Sequence, residues 1–101
     1  MKTPARYALR VPAPVANLIR GLHPRIKRKL RAALADIMAD PHAGKALKDE
    51  LAGLWSFRVG KFCMIYRISD RVARDRRIEL VACGPRERIY EETYRLVARG
   101  H

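Results

Sequence analysis

Apolar positions in the middle of the chain alternate with polar ones. Trp55, Phe57 and Val59 alternate with Ser56 and Arg58; beyond Gly60-Lys61, Phe62, Met64, Tyr66 and Ile68 alternate with Cys63, Ile65 and Arg67. A period of two, rich in aromatic and branched residues and broken by a glycine-containing pair, predicts a β-hairpin turning at Gly60-Lys61. That turn sets Val59 against Phe62 and Arg58 against Cys63, because hairpin register follows loop length. One face becomes an apolar wall of Trp55, Phe57, Val59, Phe62, Met64 and Tyr66. The other carries Ser56, Arg58, Cys63, Ile65 and Arg67, and is the face on which function is expected.

The period changes upstream. Ala5–Val11 alternates over a short, charged stretch and predicts an edge strand. Pro12 and Pro14 end it, and Pro14 suits the first turn of a helix. Val15, Leu18, Ile19 and Leu22 follow at i, i+3, i+4 and i+7, one stripe of a helix. A second helix is predicted over Pro24–Ala39, with Ile26, Leu30, Ala33, Leu34, Ile37 and Met38 on its apolar face. Asp40-Pro41 stops it, since proline disfavours helix in the residue before it. The two helices read as a helical hairpin. Lys45–Leu51 fits either a short helical turn or a loop.

Downstream, Ser69–Arg76 is polar and reads as an exposed connection, Ile78–Cys83 as a strand, and Arg88–Arg99 as a C-terminal helix ended by Gly100. The order β-α-α-β-β-β-α predicts a single α+β domain over residues 1–101. It has two layers, the N-terminal helical hairpin packed on a small antiparallel-type sheet, with the C-terminal helix following. The second sheet face is expected to be exposed, concave and basic.

Charge narrows the function. The 101 residues hold 22 Lys and Arg against 10 Asp and Glu, a net charge of +12 with a pI near 10.7. An excess of that size on one small domain implies an anionic partner: nucleic acid, anionic membrane or an acidic protein. Membrane is the weakest of these, because no apolar run approaches the roughly 20 residues needed to span and no signal-peptide core is evident. A cytoplasmic location is expected, with Cys63 and Cys83 reduced. No CxxC or clustered His/Cys spacing suggests a metal, and nothing points to a small-molecule cofactor.

Taken together, the Asp40-Pro41 helix end, the run Leu54-Trp55-Ser56-Phe57-Arg58-Val59-Gly60-Lys61-Phe62, then Ile65-Tyr66, and finally Val81-Ala82-Cys83-Gly84-Pro85-Arg86-Glu87-Arg88-Ile89-Tyr90 resemble the RelE/ParE toxin superfamily of bacterial type II toxin–antitoxin modules. The resemblance covers nearly the whole length. It implies a toxin neutralised by an acidic antitoxin, usually encoded beside it. RelE-like members cut messenger RNA on the ribosome without a metal, the 2′-hydroxyl attacking the adjacent phosphate. ParE-like members instead inhibit DNA gyrase, and a degenerate non-toxic homologue is a further alternative.

Within the RelE-like reading, Arg86 matches the charge-stabilising arginine, Arg58 a strand cation facing the phosphate, and Tyr90 the C-terminal tyrosine; these are the catalytic candidates. Lys61, Arg67 and Arg88 are candidates for contacting RNA, as are Lys27, Arg28 and Arg31 of the cation-dense second helix. Cys63 stands where such members usually have an arginine, Ser56 where some have a lysine, and Pro85 where a His or Lys is common.

Overall fold

The computed structural model describes residues 7–69 and 76–100, with backbone alone at 99 and 100. Its elements follow the order β1 (Ala8–Arg10), α1 (Ala13–Arg20), α2 (Pro24–Ala39), a 3-10 turn (Pro41–Ala43), β2 (Lys45–Ala46) and a second 3-10 turn (Asp49–Leu51). Then come β3 (Leu54–Val59), β4 (Phe62–Ser69), β5 (Arg77–Pro85) and α3 (Arg86–Gly100). The expected strand over Ala5–Val11 is shorter, and its first two residues lie outside the described part, as does most of the Ser69–Arg76 connection.

α2 has the boundaries that its sequence dictates. Pro24 occupies the first turn, where a missing N–H costs nothing, and His23 Nδ1 accepts the Arg25 amide at 3.1 Å. Asp40-Pro41 ends the helix. Its stripe of Leu30, Ala33 and Ile37 is buried against Met64, Tyr66, Ile78, Leu80 and Cys83 of the sheet, and Val15, Ile19 and Leu22 from α1 and its C-terminal edge pack around that cluster. Trp55, Phe57, Val59 and Phe62 sit on the same side. The apolar wall of the hairpin is therefore core.

The sheet order is β1-β5-β4-β3-β2. β3 and β4 pair antiparallel with Val59 opposite Phe62 and Arg58 opposite Cys63, the register set by the Gly60-Lys61 turn. Gly60 holds φ +60, a backbone conformation that glycine adopts without strain. β1 lies at the edge, as its brevity and charge suggest, and pairs in parallel with β5 through Leu9 and Ile78.

β4 and β5 pair out of step at one place. Ile65 faces Ala82 and Tyr66 faces Leu80, so Val81 has no partner and forms a β-bulge. The bulge reverses side-chain parity along β5. Ile78 and Leu80 point to α2, but beyond Val81 it is Cys83 that does so, while Ala82 turns to the other side.

That other side is not open throughout. Leu54, Cys63, Ile65 and Ala82 form a second buried cluster under Ile89 of α3, flanked by Leu47, Leu51 and Val81. The face expected to be wholly exposed is covered where Ile89 of α3 packs on it, while the part toward β2 and the hairpin turn, and the far end around Arg67 and Glu79, stay open. The α3 stripe includes Thr93, whose buried hydroxyl is satisfied by donating to the Ile89 carbonyl at 2.6 Å.

Candidate functional site

Three segments far apart in sequence meet at the end of the sheet where α3 begins. Arg58 is exposed on β3, near the hairpin turn. Gly84 and Pro85 close β5, and Arg86 opens α3 directly after them. The Arg86 amide donates to the Lys61 carbonyl at 2.9 Å, so the start of α3 is tied to the hairpin turn. Tyr90 lies four residues on, hence on the same helix face as Arg86. Its hydroxyl donates to Ser56 Oγ at 3.3 Å, joining α3 to β3 across 34 residues of sequence.

The third segment is β2. Lys45 pairs directly with Ser56, so both side chains leave the sheet on the face that carries Arg58. A cleft of about 250 Å³ is lined by Gly44, Lys45, Ser56, Arg58, Cys63, Arg86 and Tyr90. It opens outward into a wider one of about 500 Å³ that shares Lys45, Arg58, Arg86 and Tyr90 and adds Lys61 and Glu87. Four cations face one carboxylate there. The N-terminal end of α3, with its amide dipoles, adds to the same positive potential. Such a site attracts an anion and repels a cation.

Sequence reasoning did not find Lys45. Its strand is two residues long and carries no periodicity, and only the pairing with Ser56 reveals where it points. The backbone before it is clamped. Tyr66, fully buried on β4, donates to the Pro41 carbonyl at 2.6 Å, and the Gly44 amide donates to the same hydroxyl. Burial pushes the Tyr66 phenol up to about 12. The Leu47 amide then donates to Leu54 at 2.9 Å. Lys45 is thus held from both sides.

Of the sequence-selected residues, Arg58, Arg86, Tyr90 and Lys61 come together. Arg88 is exposed on the first turn of α3 but lines neither cleft. Arg67 shares the sheet face but lies farther along β4, where Glu79 engages it at 3.0 Å and Arg10 at 3.2 Å from the other side. Lys27, Arg28 and Arg31 sit on α2, across the sheet from the cleft.

Cys63, expected on an open face, is buried and forms the cleft floor. Cys83 points to the opposite side of the sheet, so the two thiols are both free and belong to separate clusters. Burial pushes the Cys83 thiol up to about 11, with Cys63 adding to the shift. Among the described residues no group of three or more His, Cys, Asp or Glu side chains could hold a metal ion, and no helix is long and apolar enough to cross a membrane.

Residues 10–94 match the model of a family described as the ParE-like toxin of type II bacterial toxin–antitoxin systems. The chain belongs to that family. The match contains every element from the end of β1 into the second half of α3, including the whole cleft. Solved structures agree with it. The toxin–antitoxin complex RelBE of Mycobacterium tuberculosis is similar at 27% identity and a TM-score of 0.70, covering 85% of this chain and 98% of that one. A mutant of Escherichia coli RelE in the free state superposes with a TM-score of 0.72 at 16% identity, over 93% of this chain and 96% of the other. The archaeal RelE–RelB complex of Pyrococcus horikoshii gives 0.63 at 20% identity, over 81% and 97%. No curated protein matches by sequence. The toxin resembles the last two in fold, at identities too low to carry residue roles.

Proposed function

We propose that this toxin inhibits translation by cutting ribosome-bound messenger RNA. The observation that carries the reading is the convergence of Arg58, Arg86 and Tyr90, from β3 and α3, on one cationic cleft. RNA cleavage of this kind needs little from the protein, because the substrate supplies its own nucleophile. The 2′-oxygen bonds to phosphorus and gives up its proton to solvent. The bond from phosphorus to the 5′-oxygen breaks, and that oxygen takes up a proton. A 2′,3′-cyclic phosphate and a 5′-hydroxyl remain.

The transition state carries extra charge on the phosphate oxygens. The planar Arg86 guanidinium can hold two of those oxygens at once, and a fixed donor of that kind stabilises developing charge more than ground-state charge. Its backbone anchor to Lys61 limits where the side chain can reach. Arg58 supplies a second cation from the sheet. Tyr90 is the hydroxyl in the cleft best placed to give a proton to the departing 5′-oxygen. Lys61 guides the backbone in, with Arg88 beside it. Lys27, Arg28 and Arg31 form a separate basic face suited to ribosomal RNA. Arg67, committed to Glu79, contributes least.

The antitoxin partner is an acidic protein that covers the cationic cleft in a cytoplasmic complex, and charge makes that association salt-sensitive. The similar M. tuberculosis and P. horikoshii structures are toxin–antitoxin complexes, which supports this pairing.

The test is Arg86→Ala in ribosome-bound message cleavage. The rate should fall about a hundredfold, roughly 3 kcal/mol of transition-state stabilisation. Arg86 is exposed and its amide remains, so folding should hold. Arg58→Ala should cost less. Full activity of folded Arg86→Ala overturns the assignment. Intact messages with DNA breaks on expression would instead establish gyrase inhibition, the reading that the neutral Ser56 and Cys63 in the cleft favour.

A further inference from the structure

We infer that Lys45 is a third phosphate-binding cation of the cleft, taking the backbone of single-stranded RNA from the β2 side. The inference rests on the reading of the cleft as a phosphodiester site and extends it to a residue that no motif marks.

Four observations carry it. Lys45 lies opposite Ser56, so its side chain rises beside the hydroxyl that Tyr90 contacts, two residues along the strand from Arg58. Diagonal neighbours on a sheet face lie within reach of long side chains. Lys45 lines both the inner and the outer cleft, as do Arg58, Arg86 and Tyr90. Among the described residues it forms no ion pair, whereas Arg10 and Arg67 are held by Glu79 and Arg95 by Glu91. An exposed ammonium without a carboxylate is available to a phosphate.

The fourth observation is the anchor. A lysine side chain is flexible, so its value in a site depends on a fixed Cα. The Tyr66 hydroxyl binds both Pro41 and Gly44 just before it, and Leu47 is bonded to Leu54 just after. Two residues of strand would ordinarily fray. Here a buried phenol from the central strand holds them, and the consequence is a lysine delivered to the cleft wall facing Arg86. The two walls thus present charge from opposite sides, as an extended polyanion threading between them requires.

The probe is a single-stranded RNA blocked at every 2′-oxygen by methylation, so that binding is measured without cleavage. Affinity is followed from low to moderate salt for the wild type, Lys45→Gln and Lys45→Arg, with cleavage of ribosome-bound message in parallel and circular dichroism as the folding control. Each phosphate contact on a single strand contributes about 0.7 to the slope of log affinity against log salt. Lys45→Gln should therefore reduce the slope by about 0.7 and the cleavage rate roughly tenfold to a hundredfold, the scale of one charged hydrogen bond. Lys45→Arg should keep the slope. An unchanged slope in folded Lys45→Gln, or no measurable binding by the wild type, overturns the inference. A wild type that cuts no message yet loses slope with Lys45→Gln removes the nuclease reading and leaves Lys45 as an anion site.

Discussion

Gly44→Ala is a one-methyl change whose cost the structure allows to be worked out. Gly44 has φ −74 and ψ −175, extended backbone that any residue adopts, so conformational strain cannot explain a glycine here. Space does. A Cβ at this position would fall on the Tyr66 hydroxyl and come within 2.7 Å of the Ser56 carbonyl oxygen, about 0.7 Å inside ordinary contact. Neither neighbour yields easily: one is a fully buried ring, the other is backbone of β3. The turn must move away, and both hydrogen bonds at the Tyr66 oxygen go with it. A buried donor or acceptor left unpaired costs about 1–3 kcal/mol, and two are at stake here.

Alanine restricts the unfolded chain and returns roughly 0.4–1 kcal/mol. The net loss should be about 2–3 kcal/mol, which lowers the melting temperature of a domain this size by roughly 10–20 °C. Urea unfolding should show an earlier midpoint at unchanged slope. Gly53→Ala is the control: φ is +94 there, but nothing lies within 4 Å, so only backbone strain of roughly 1 kcal/mol applies. A Gly44→Ala midpoint within error of the wild type, or above that of Gly53→Ala, would refute the clamp.

Two further predictions concern buried groups. Tyr66 titrates near 10 unfolded and about 12 folded, and Cys83 is raised from 9 to about 11, so the native state holds these protons more tightly. Their stabilisation is complete below about pH 9 and is lost as pH rises toward 12; Tyr66→Phe should flatten the last part of that loss in unfolding measured against pH. Cys63→Arg, which on an open face would simply add a cation, here forces a guanidinium among Ile65, Ala82 and Ile89, and should destabilise by 1–3 kcal/mol or more in denaturant unfolding.

The hairpin register, the limits of α2 and the apolar wall were legible because each rests on local pattern: alternation, a 3.6-residue stripe, a proline stop. Arg58, Arg86 and Tyr90, which line one cleft, were picked out through their motif. What escaped depends on distant partners. The parallel pairing of β1 with β5 joins residues nearly seventy positions apart, and β2 exists only because β3 offers an edge. The burial of Cys63 and Ile65 follows from where α3 lies, which no pattern within β4 records. The bulge at Val81 is silent too, since Ile78-Glu79-Leu80-Val81-Ala82-Cys83 reads as one smooth run.

That unpaired valine sets a rule for how β5 can change length. Removing its codon would restore a regular ladder, with Leu80 and Cys83 still facing α2, Ala82 still facing α3, and the helix bearing Arg86 and Tyr90 launched in the same phase. Removing Ala82 as well would set Cys83 directly after Leu80, turn it away from α2, and launch that helix half a pleat out of phase. Within β5, loss of the bulged residue and loss of a paired one are therefore unequal in kind, and descendants of this chain should tolerate the first more readily.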